Sequence, residues 1–378
     1  MTTMVPGRPA GVVSLADLLP GCVSALRGEP NALGFPRASS VVVVVVDGLG
    51  ASVLNERAAY ARTLSASRES MFSGFPTTTA AALTTITTGA LPGTHGLVGY
   101  TVLDAANDRV VKQLSGWDAR LDPTTWQRVP TIFEQLGGTE IQSFAVGAKR
   151  YATSGLTKAI LRGATYVSAE SIGDRFAAAQ SILDSRVPAL TYLYVPELDM
   201  AAHRVGWQSD DWAAALEAVD AEVRGLVTGL RADQAVVVTA DHGVIDVSAR
   251  KHVLYGHKPE LVDGLRHVAG DPRCLQLHVE PGLDVDAVDR LVAAWRASES
   301  DRSWVVTRAE AVEAGWFGEV DPVVAARIGD VLVAARKGIA YYDGRDDENH
   351  RRMIGQHGSW SSEETQVPLL RFGAFAPR

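Results

Sequence analysis

Residues Val41 to Gly50 read VVVVVVDGLG, six valines followed by an aspartate and a turn that contains two glycines. β-Branched side chains are stiff and pack well on a pleated surface, so the valine run predicts a β-strand. Because the run is continuous rather than alternating, we expect both faces of this strand to be covered, as in a central parallel strand. Asp47 would then lie at the carboxyl end of a buried strand, where open α/β sheets bind their ligands.

The aspartate at this strand end has two interpretations. An ionised carboxylate at such depth is costly unless a cation or hydrogen-bond donors compensate it. The simpler interpretation is an aspartate that caps the following helix. The pattern returns at Gln234–Thr239, QAVVVT, which is followed by ADHGV and so places Asp241 and His242 at a second strand end. Two strand-end acids of this kind favour a shared site over two separate caps.

Length, composition and charge limit the classes of protein to consider. The chain has 378 residues, of which 46% are hydrophobic and 21% are charged, as in soluble globular proteins. The net charge of −8 argues against binding a nucleic-acid scaffold, because no basic excess is present to neutralise phosphates. It leaves room for a small phosphate-bearing substrate, since a bound cation can reverse the local field.

Cysteine usage and hydropathy bear on the compartment. Cys22 and Cys274 are far apart and match no zinc spacing, and low cysteine use is compatible with a reducing compartment. No apolar run has the length of a signal peptide or a membrane helix. We therefore expect a cytoplasmic protein with no membrane partner. The sequence carries no prediction of the oligomeric state.

Residues 250–350 differ in character from the rest of the chain. LQLHVE and SWVVT predict short strands, Val285 to Ala297 predicts a helix, and DVLVAARKGIAYYD predicts a hairpin. The chain then returns with VPLLRF, which predicts a closing strand. We expect a single catalytic domain over residues 1–378, with residues 250–350 forming a smaller lobe inserted in its core.

Three threonines lie at a predicted helix start. The segment FPTTTAAALTTITTG places Thr77, Thr78 and Thr79 just before a predicted helix over Ala80 to Thr88. The first turn of a helix has unpaired N–H groups that favour anions and lower the cost of a developing alkoxide. The simpler alternative is an ordinary threonine cap.

A third predicted strand, Ala189 to Val195, is followed by PELDMAAH. Asp199 and His203 are spaced i, i+4, which places them on one face of a helix, as are the metal-binding histidines of HExxH helices. The alternative is an exposed ion pair of the same spacing. His357, in the loop IGQHGSW, gains meaning only in combination with the other positions.

Together these positions supply three carboxylates, three imidazoles and a hydroxyl. Nitrogen and oxygen ligands without thiolate suit Zn²⁺, and also Mn²⁺ or Fe²⁺. Six such groups are too many for one ion and fit two divalent metal ions, which clamp the attacking and leaving oxygens of an in-line displacement at phosphorus. The candidate ligands are Asp47, Asp199, His203, Asp241, His242 and His357, with a threonine hydroxyl beside them.

In this order, the motifs resemble those of the alkaline phosphatase superfamily, and specifically the type I phosphodiesterase / nucleotide pyrophosphatase family. The matching segments between Val41 and His357 are VVDGLG, PTTTAAALTTITTGALPGTHG, ELDMAAH, TADHGV and GQHG. The resemblance implies an alkaline-phosphatase-like three-layer α/β fold with a largely parallel central sheet and a smaller inserted α+β lobe. It also implies a hydrolase of phosphodiester or phosphoanhydride bonds whose substrate is a small phosphodiester or a nucleotide.

The resemblance further implies roles for the individual residues. One ion would be held by Asp199, His203 and His357, and the second by Asp47, Asp241, His242 and the oxygen of Thr79. In the family the nucleophile follows a proline by three positions, which selects Thr79 here, with Thr78 close enough to require a test. Thr79 would form a covalent phosphothreonine ester.

One segment departs from the family pattern, and two alternative functions stay open. Many members follow the threonine with Phe-Pro-Asn, whereas Ala80, Ala81 and Ala82 follow it here, so contacts of that segment with a nucleotide are not carried over. A phosphomonoesterase or phosphomutase on the same scaffold would need extra cations for the additional phosphate charge. The candidates for such cations are Lys149, Arg150 and Lys158. A non-catalytic binding protein that keeps the fold is the second alternative.

Overall fold

The fold is described from a computed structural model that covers residues 5–8 and 11–377. Met1 and Arg378, the ends of the predicted domain, lie outside the described residues. The strands are, in chain order, β1 (Ser40–Val46), β2 (Ser70–Phe72), β3 (Thr101–Asp104), β4 (Arg109–Lys112), β5 (Gln142–Gly147), β6 (Thr165–Ser168), β7 (Ala189–Val195), β8 (Gln234–Thr239), β9 (Ile245–Asp246), β10 (His252–Leu254), β11 (Leu265–Asp271), β12 (Cys274–Val279), β13 (Ser303–Thr307), β14 (Val331–Ala335), β15 (Ala340–Tyr342), β16 (Gly355–Gln356), β17 (Gln366–Pro368) and β18 (Leu370–Gly373).

Helices connect most of these strands. They are α1 (Leu18–Arg27), α2 (Ala51–Glu56), α3 (Thr79–Thr88), α4 (Pro92–His95), α5 (Pro123–Trp126), α6 (Ile132–Gln135), α7 (Gly155–Ile160), α8 (Ile172–Asp184), α9 (Glu197–Val205), α10 (Asp210–Thr228), α11 (Pro259–Val262), α12 (Val285–Glu299), α13 (Arg308–Glu313), α14 (Pro322–Ala325) and α15 (Ser362–Thr365). Single 3₁₀ turns lie at Leu15–Asp17, Ala58–Tyr60, Leu64–Ala66, Lys149–Tyr151, Ala249–Lys251 and Glu348–Arg351. In the part of the chain that the structure describes, no helix combines the length and the apolar character needed to cross a membrane.

The valine run forms the middle of a six-stranded sheet with the order β18-β8-β1-β7-β5-β6. All neighbours are parallel except β18, which runs antiparallel to β8. Every residue of β1 is buried, and because alternate side chains point to opposite faces, both faces of the strand are covered. Helix α1 packs on β1 and β7, and helix α8 packs on β5 and β7. The predicted three-layer α/β fold with a largely parallel central sheet is confirmed.

The strand register places the predicted site residues at one edge of this sheet. Val46 pairs with Val195 at the end of β7, and Val45 pairs with Thr239 at the end of β8. Since the three strands are parallel, the segments that follow them start side by side. Asp47, Asp241 and the helix that carries Asp199 are therefore neighbours in space.

A second six-stranded sheet is antiparallel and has the order β13-β14-β12-β11-β3-β4. Four of its strands come from residues 265–335, and the other two form the hairpin over residues 101–112. The two faces of this sheet carry their own hydrophobic clusters, one of which centres on Trp295 and the other on Phe317. The division of the chain into a domain and an inserted lobe stays a prediction.

The hairpin predicted over DVLVAARKGIAYYD is wrong. Strand β14 lies between β12 and β13, with Val333 opposite Leu275 and Val305, so both of its edges are already paired. Strand β15 instead pairs in parallel with β10, through Tyr341 and Val253. The two strands separate because each one finds a partner that is distant in sequence.

Candidate active site

Three carboxylates meet at the carboxyl edge of the central sheet. Asp47 follows β1, Asp241 follows β8, and Asp199 lies in the first turn of α9 after β7. Gly48 allows this approach, because its φ of 73° is left-handed and a Cβ at this position would lie 3.1 Å from the side chain of Asp199. The Gly48 N–H donates to Oδ1 of Asp241 at 3.2 Å, which ties the first two strand ends together.

Each of the three acids is bonded through one oxygen and leaves the other without a partner. Asp47 accepts from the hydroxyl of Tyr194, Asp199 accepts from His203, and Asp241 accepts from backbone N–H groups. The remaining oxygens, Oδ1 of Asp47, Oδ1 of Asp199 and Oδ2 of Asp241, are buried and have no hydrogen-bond partner among the residues that the structure describes. An unpaired buried carboxylate oxygen is costly, so these three atoms indicate a site for a cation.

Three imidazoles complete the cluster. The rings of His242 and His357 are stacked with their centroids 3.8 Å apart, and the ring of His203 lies 5.2 Å from that of His357. The Nδ1 atom of His203 donates to the carbonyl of Gly355 at 2.7 Å, and that of His357 donates to the carbonyl of Thr77 at 2.8 Å. Backbone acceptors therefore fix these two rings through Nδ1, so Nε2 is the nitrogen of each ring that can act as a ligand. In the ring of His203 this atom lies against Oδ2 of Asp199.

The described residues contain two groups whose ligand atoms lie within 4.8 Å of one another. One consists of Asp47, Asp241 and His242, and the other of Asp199, His242 and His357. His242 belongs to both groups. In the first group its Nε2 is 3.5 Å from Oδ1 of Asp47 and 3.4 Å from Oδ2 of Asp241. His203 contacts the second group through Asp199, with Nε2 3.0 Å from Oδ2 of that carboxylate.

The pKa values follow from burial and from this crowding of charge. Burial, and then the charges of Asp241 and Asp199, raise the pKa of Asp47 well above its ordinary value. Burial would also raise the pKa of Asp199, but the neighbouring imidazoles, chiefly His203, outweigh it and hold that pKa below its usual range. Burial and the nearby His242 ring lower the pKa of His357. A neutral imidazole is the form that binds a metal.

The three threonines point in three different directions. Thr77 donates to the carbonyl of Ser359 at 2.8 Å, and Thr78 donates to Oδ1 of Asp271 at 3.2 Å. Thr79 is the first residue of α3, and its hydroxyl lies 3.2 Å from Nε2 of His242. Of the three hydroxyls, that of Thr79 is therefore the one that lies against the cluster of acids and imidazoles.

A cavity of about 1040 Å³ opens beside this cluster. Asp47, Thr79, Asp199, His203 and His357 form part of its wall. Other parts of the wall come from the central sheet, the second sheet and the turn at Lys149–Tyr151. They include Tyr151, Tyr166, Tyr192, Tyr194, Leu265, Val268 and Leu275. The volume fits a nucleotide-sized molecule.

Sequence reasoning did not find two residues of this site. Tyr194, within the strand motif ALTYLYV, donates its hydroxyl to Asp47. Asp271, at the end of β11, accepts from Thr78. Tyr194 could have been found from its position near the end of the strand that leads to Asp199. Asp271 is revealed only by the structure of the second sheet.

The basic residues considered for a phosphomonoesterase differ in their relation to the cavity. Lys149 and Lys158 are exposed, and neither is among the described residues that line the cavity. Arg150 lies over the ring of Tyr151, with its guanidinium carbon 4.7 Å from the ring centroid. Its guanidinium also contacts Met200, and both Tyr151 and Met200 line the cavity.

Comparisons with known proteins agree with the fold. The model of the type I phosphodiesterase / nucleotide pyrophosphatase family matches residues 41–360. Solved structures with a similar fold include an inactive variant of murine ectonucleotide pyrophosphatase / phosphodiesterase 5 in complex with AMP, at 17% identity, a TM-score of 0.68 and coverage of 89% of this chain and 88% of that chain. The structure of human ectonucleotide pyrophosphatase / phosphodiesterase 5 is 16% identical, with a TM-score of 0.66 and coverage of 89% of this chain and 90% of that chain.

These structural likenesses, at such low identity, establish the fold alone, and no match was found among curated proteins. The family model, in contrast, covers most of the chain and all the positions discussed above. The protein therefore belongs to the type I phosphodiesterase / nucleotide pyrophosphatase family, a family of hydrolases.

Proposed function

We propose that the protein hydrolyses phosphodiester or phosphoanhydride bonds of small substrates, nucleotides included, with two divalent metal ions and with Thr79 as the nucleophile. The observation that carries this proposal is a set of three buried carboxylate oxygens that have no hydrogen-bond partner among the described residues, in a cluster whose His242 ring contacts the hydroxyl of Thr79. A purely structural cluster would pair these oxygens with donors.

The donor set fits the metal ions that the family resemblance implies. Oxygen and nitrogen donors suit Zn²⁺, and also Mn²⁺ or Fe²⁺. One ion would be held by Asp199, His203 and His357, and the other by Asp47, Asp241, His242 and Thr79. When bound, such ions neutralise phosphate charge and lower the pKa of an oxygen that they contact. Because His242 borders both groups, its exclusive assignment to the second ion is part of the proposal.

Thr79 is placed for attack on phosphorus. Its hydroxyl lies in the cavity wall beside the cluster, and α3 begins at this residue. The first-turn N–H groups of a helix have no partner within the helix and can hold a phosphoryl oxygen. The hydroxyl of Thr79 would lose its proton to solvent as Oγ1 forms a bond to phosphorus. The bond from phosphorus to the leaving oxygen would break, and this oxygen would take a proton from solvent where it leaves as an alcohol. Water would then hydrolyse the resulting phosphothreonine ester and regenerate the threonine.

A similar fold binds a nucleotide in murine ectonucleotide pyrophosphatase / phosphodiesterase 5, whose inactive variant was solved with AMP. This supports a nucleotide as one substrate of the present chain. The cavity supports it as well, because its tyrosine rings offer apolar faces to a base or another aromatic leaving group.

The test is hydrolysis of bis-p-nitrophenyl phosphate by the purified, metal-loaded protein. Thr79→Ala should lower turnover by a factor on the order of 10⁶, as expected for loss of a nucleophile. Thr78→Ala is the matched control, because it removes the neighbouring hydroxyl that is bonded to Asp271 instead. Both variants should retain bound metal.

Three results would count against the proposal. Unchanged turnover in Thr79→Ala would exclude Thr79 as the nucleophile, and a selective loss in Thr78→Ala would transfer the role to Thr78. A parent protein that hydrolyses p-nitrophenyl phosphate much faster than the diester would favour a phosphomonoesterase. A parent protein without turnover on either substrate would favour a non-catalytic binding protein.

A further inference from the structure

An acidic residue of the second sheet reaches the site of the central sheet. Asp271 is the last residue of β11, and it faces Cys274 across the tight turn to β12. Asp271 is 4% exposed, and it lines the same cavity as Thr79. The second sheet therefore contributes a carboxylate beside the nucleophile.

Both oxygens of this carboxylate are held in place. Oδ1 accepts from the hydroxyl of Thr78 at 3.2 Å, and Oδ2 accepts from the N–H of Tyr100 at 3.4 Å. A Cβ on Gly358, the residue after His357, would lie only 2.6 Å from Cβ of Asp271. These contacts place the carboxylate next to both the threonine segment and the loop of His357.

The turn that carries Asp271 is anchored by a buried ion pair. Arg273 donates to both oxygens of Glu364 at 2.8 and 2.7 Å, and neither side chain is exposed. Glu364 also accepts from the N–H of Ser359 at 2.9 Å, in the loop that follows His357. The Nη1 atom of Arg273 donates to the carbonyl of Ile339 at 2.7 Å. With its turn fixed on both sides, Asp271 stays beside the site.

The charged residues of the cavity wall form their ion pairs elsewhere. Arg266 is paired with Asp108 and Glu280, and Arg345 is paired with Asp343. Lys112 and Arg352 are exposed side chains on the wall. Asp271 therefore adds a negative charge next to Thr78, opposite in sign to the metal ions proposed above.

We propose that Asp271 is a specificity-determining residue that selects monoanionic phosphodiesters and rejects dianionic phosphomonoesters. A diester brings one negative charge to the site, whereas a monoester above neutral pH brings two, so a fixed carboxylate repels the monoester more strongly. The inference rests on the proposed function and deepens it, since it assigns the choice between the two ester classes to a single side chain.

The test compares p-nitrophenyl phosphate with bis-p-nitrophenyl phosphate at pH 8.5 in the metal-loaded protein. Burial raises the pKa of Asp271 to about 7, so at this pH the parent presents an ionised carboxylate. Asp271→Asn keeps the shape and an acceptor oxygen and removes the charge. It should raise the ratio of monoester to diester kcat/KM by about 10-fold or more, mainly through a lower KM for the monoester.

Asp263→Asn is the matched control. Asp263 is exposed, is not among the described residues that line the cavity and precedes the opposite end of β11, so the variant removes the same charge at the other end of the strand. Its ratio should equal that of the parent. Asp271→Ser also removes the charge. It provides a second measurement of the monoester to diester ratio if the asparagine variant does not fold.

The outcomes separate this inference from the proposed function. If the parent hydrolyses the diester and both Asp271 variants keep its ratio, the specificity role is wrong and the proposed function stands. An equal rise of the ratio in Asp263→Asn would also overturn the role, because net charge rather than Asp271 would then be responsible. A parent without diester hydrolysis overturns the proposed function itself.

Discussion

At the scale of single residues, the hydroxyl of Tyr194 decides which oxygen of Asp47 is available. It donates to Oδ2, and Oδ1 stays buried, unpartnered and directed at His242. A hydrogen bond of this kind fixes the orientation of a ligand and limits a carboxylate to one coordinating oxygen. We therefore expect Tyr194 to act as a positioning residue for Asp47.

Tyr194→Phe should weaken metal binding by about 10-fold, the lower end of the usual effect of losing such a partner. The measurement is a calorimetric titration of the metal-stripped protein with Zn²⁺. Tyr192→Phe is the control, because its ring stacks on that of Tyr194 with a centroid distance of 6.5 Å and its hydroxyl is not bonded to Asp47. Equal affinities in both variants would contradict the positioning role.

At the scale of elements, the turn between β11 and β12 depends on the ion pair of Arg273 and Glu364. Glu364→Gln keeps the shape of the side chain but leaves Arg273 as a buried charge without a counter-ion. Breaking a buried pair on one side costs about 3–5 kcal/mol of unfolding free energy. Urea unfolding of the purified variant measures this loss.

Arg204→Gln provides the comparison for this prediction. Arg204 pairs with Asp211, and the two side chains are 66% and 62% exposed. A pair of this kind contributes at most about 1 kcal/mol, so the midpoint of unfolding should move little. If Glu364→Gln were as stable as Arg204→Gln, the turn would not depend on the ion pair, and the fixed position of Asp271 would lose its main support.

Elements that are buried on both faces could be predicted from the sequence with their bounds. The predictions for Ala189–Val195 and Gln234–Thr239 agree with β7 and β8, because a continuous apolar run is itself the pattern of a covered parallel strand. The segment VPLLRF was predicted as one strand and forms two. Val367 pairs with Met71 of β2, and Leu370 pairs with Val238 of β8. The segment forms two strands because its two halves pair with different strands that are distant in sequence. No local sequence pattern indicates these pairings.

The candidate site was predictable only where its residues follow a local sequence pattern. Asp47 and Asp241 stand out because each one ends a buried valine-rich strand, and Asp199 with His203 shows helical spacing. His357 has no local signal and was identified by its resemblance to the family motif. Asp271 lay beyond prediction, because its place beside Thr78 depends on how the second sheet docks on the central one.

At the scale of the whole molecule, two sheets of different type share one cavity. The parallel sheet brings the acids, imidazoles and Thr79 to its carboxyl edge, as expected for ligand binding in α/β sheets. The antiparallel sheet adds Asp271 and part of the apolar wall. Under the two proposals above, the central sheet positions the residues that hydrolyse the ester, and the second sheet supplies the residue that discriminates between ester classes.

Anomalous X-ray scattering from crystals of the zinc-loaded protein would show whether the cluster beside Thr79 holds two divalent ions. We expect two peaks about 4 Å apart. One should lie among Asp199, His203 and His357, and the other among Asp47, Asp241, His242 and Thr79. A single peak, or peaks away from these residues, would contradict the proposal of two ions.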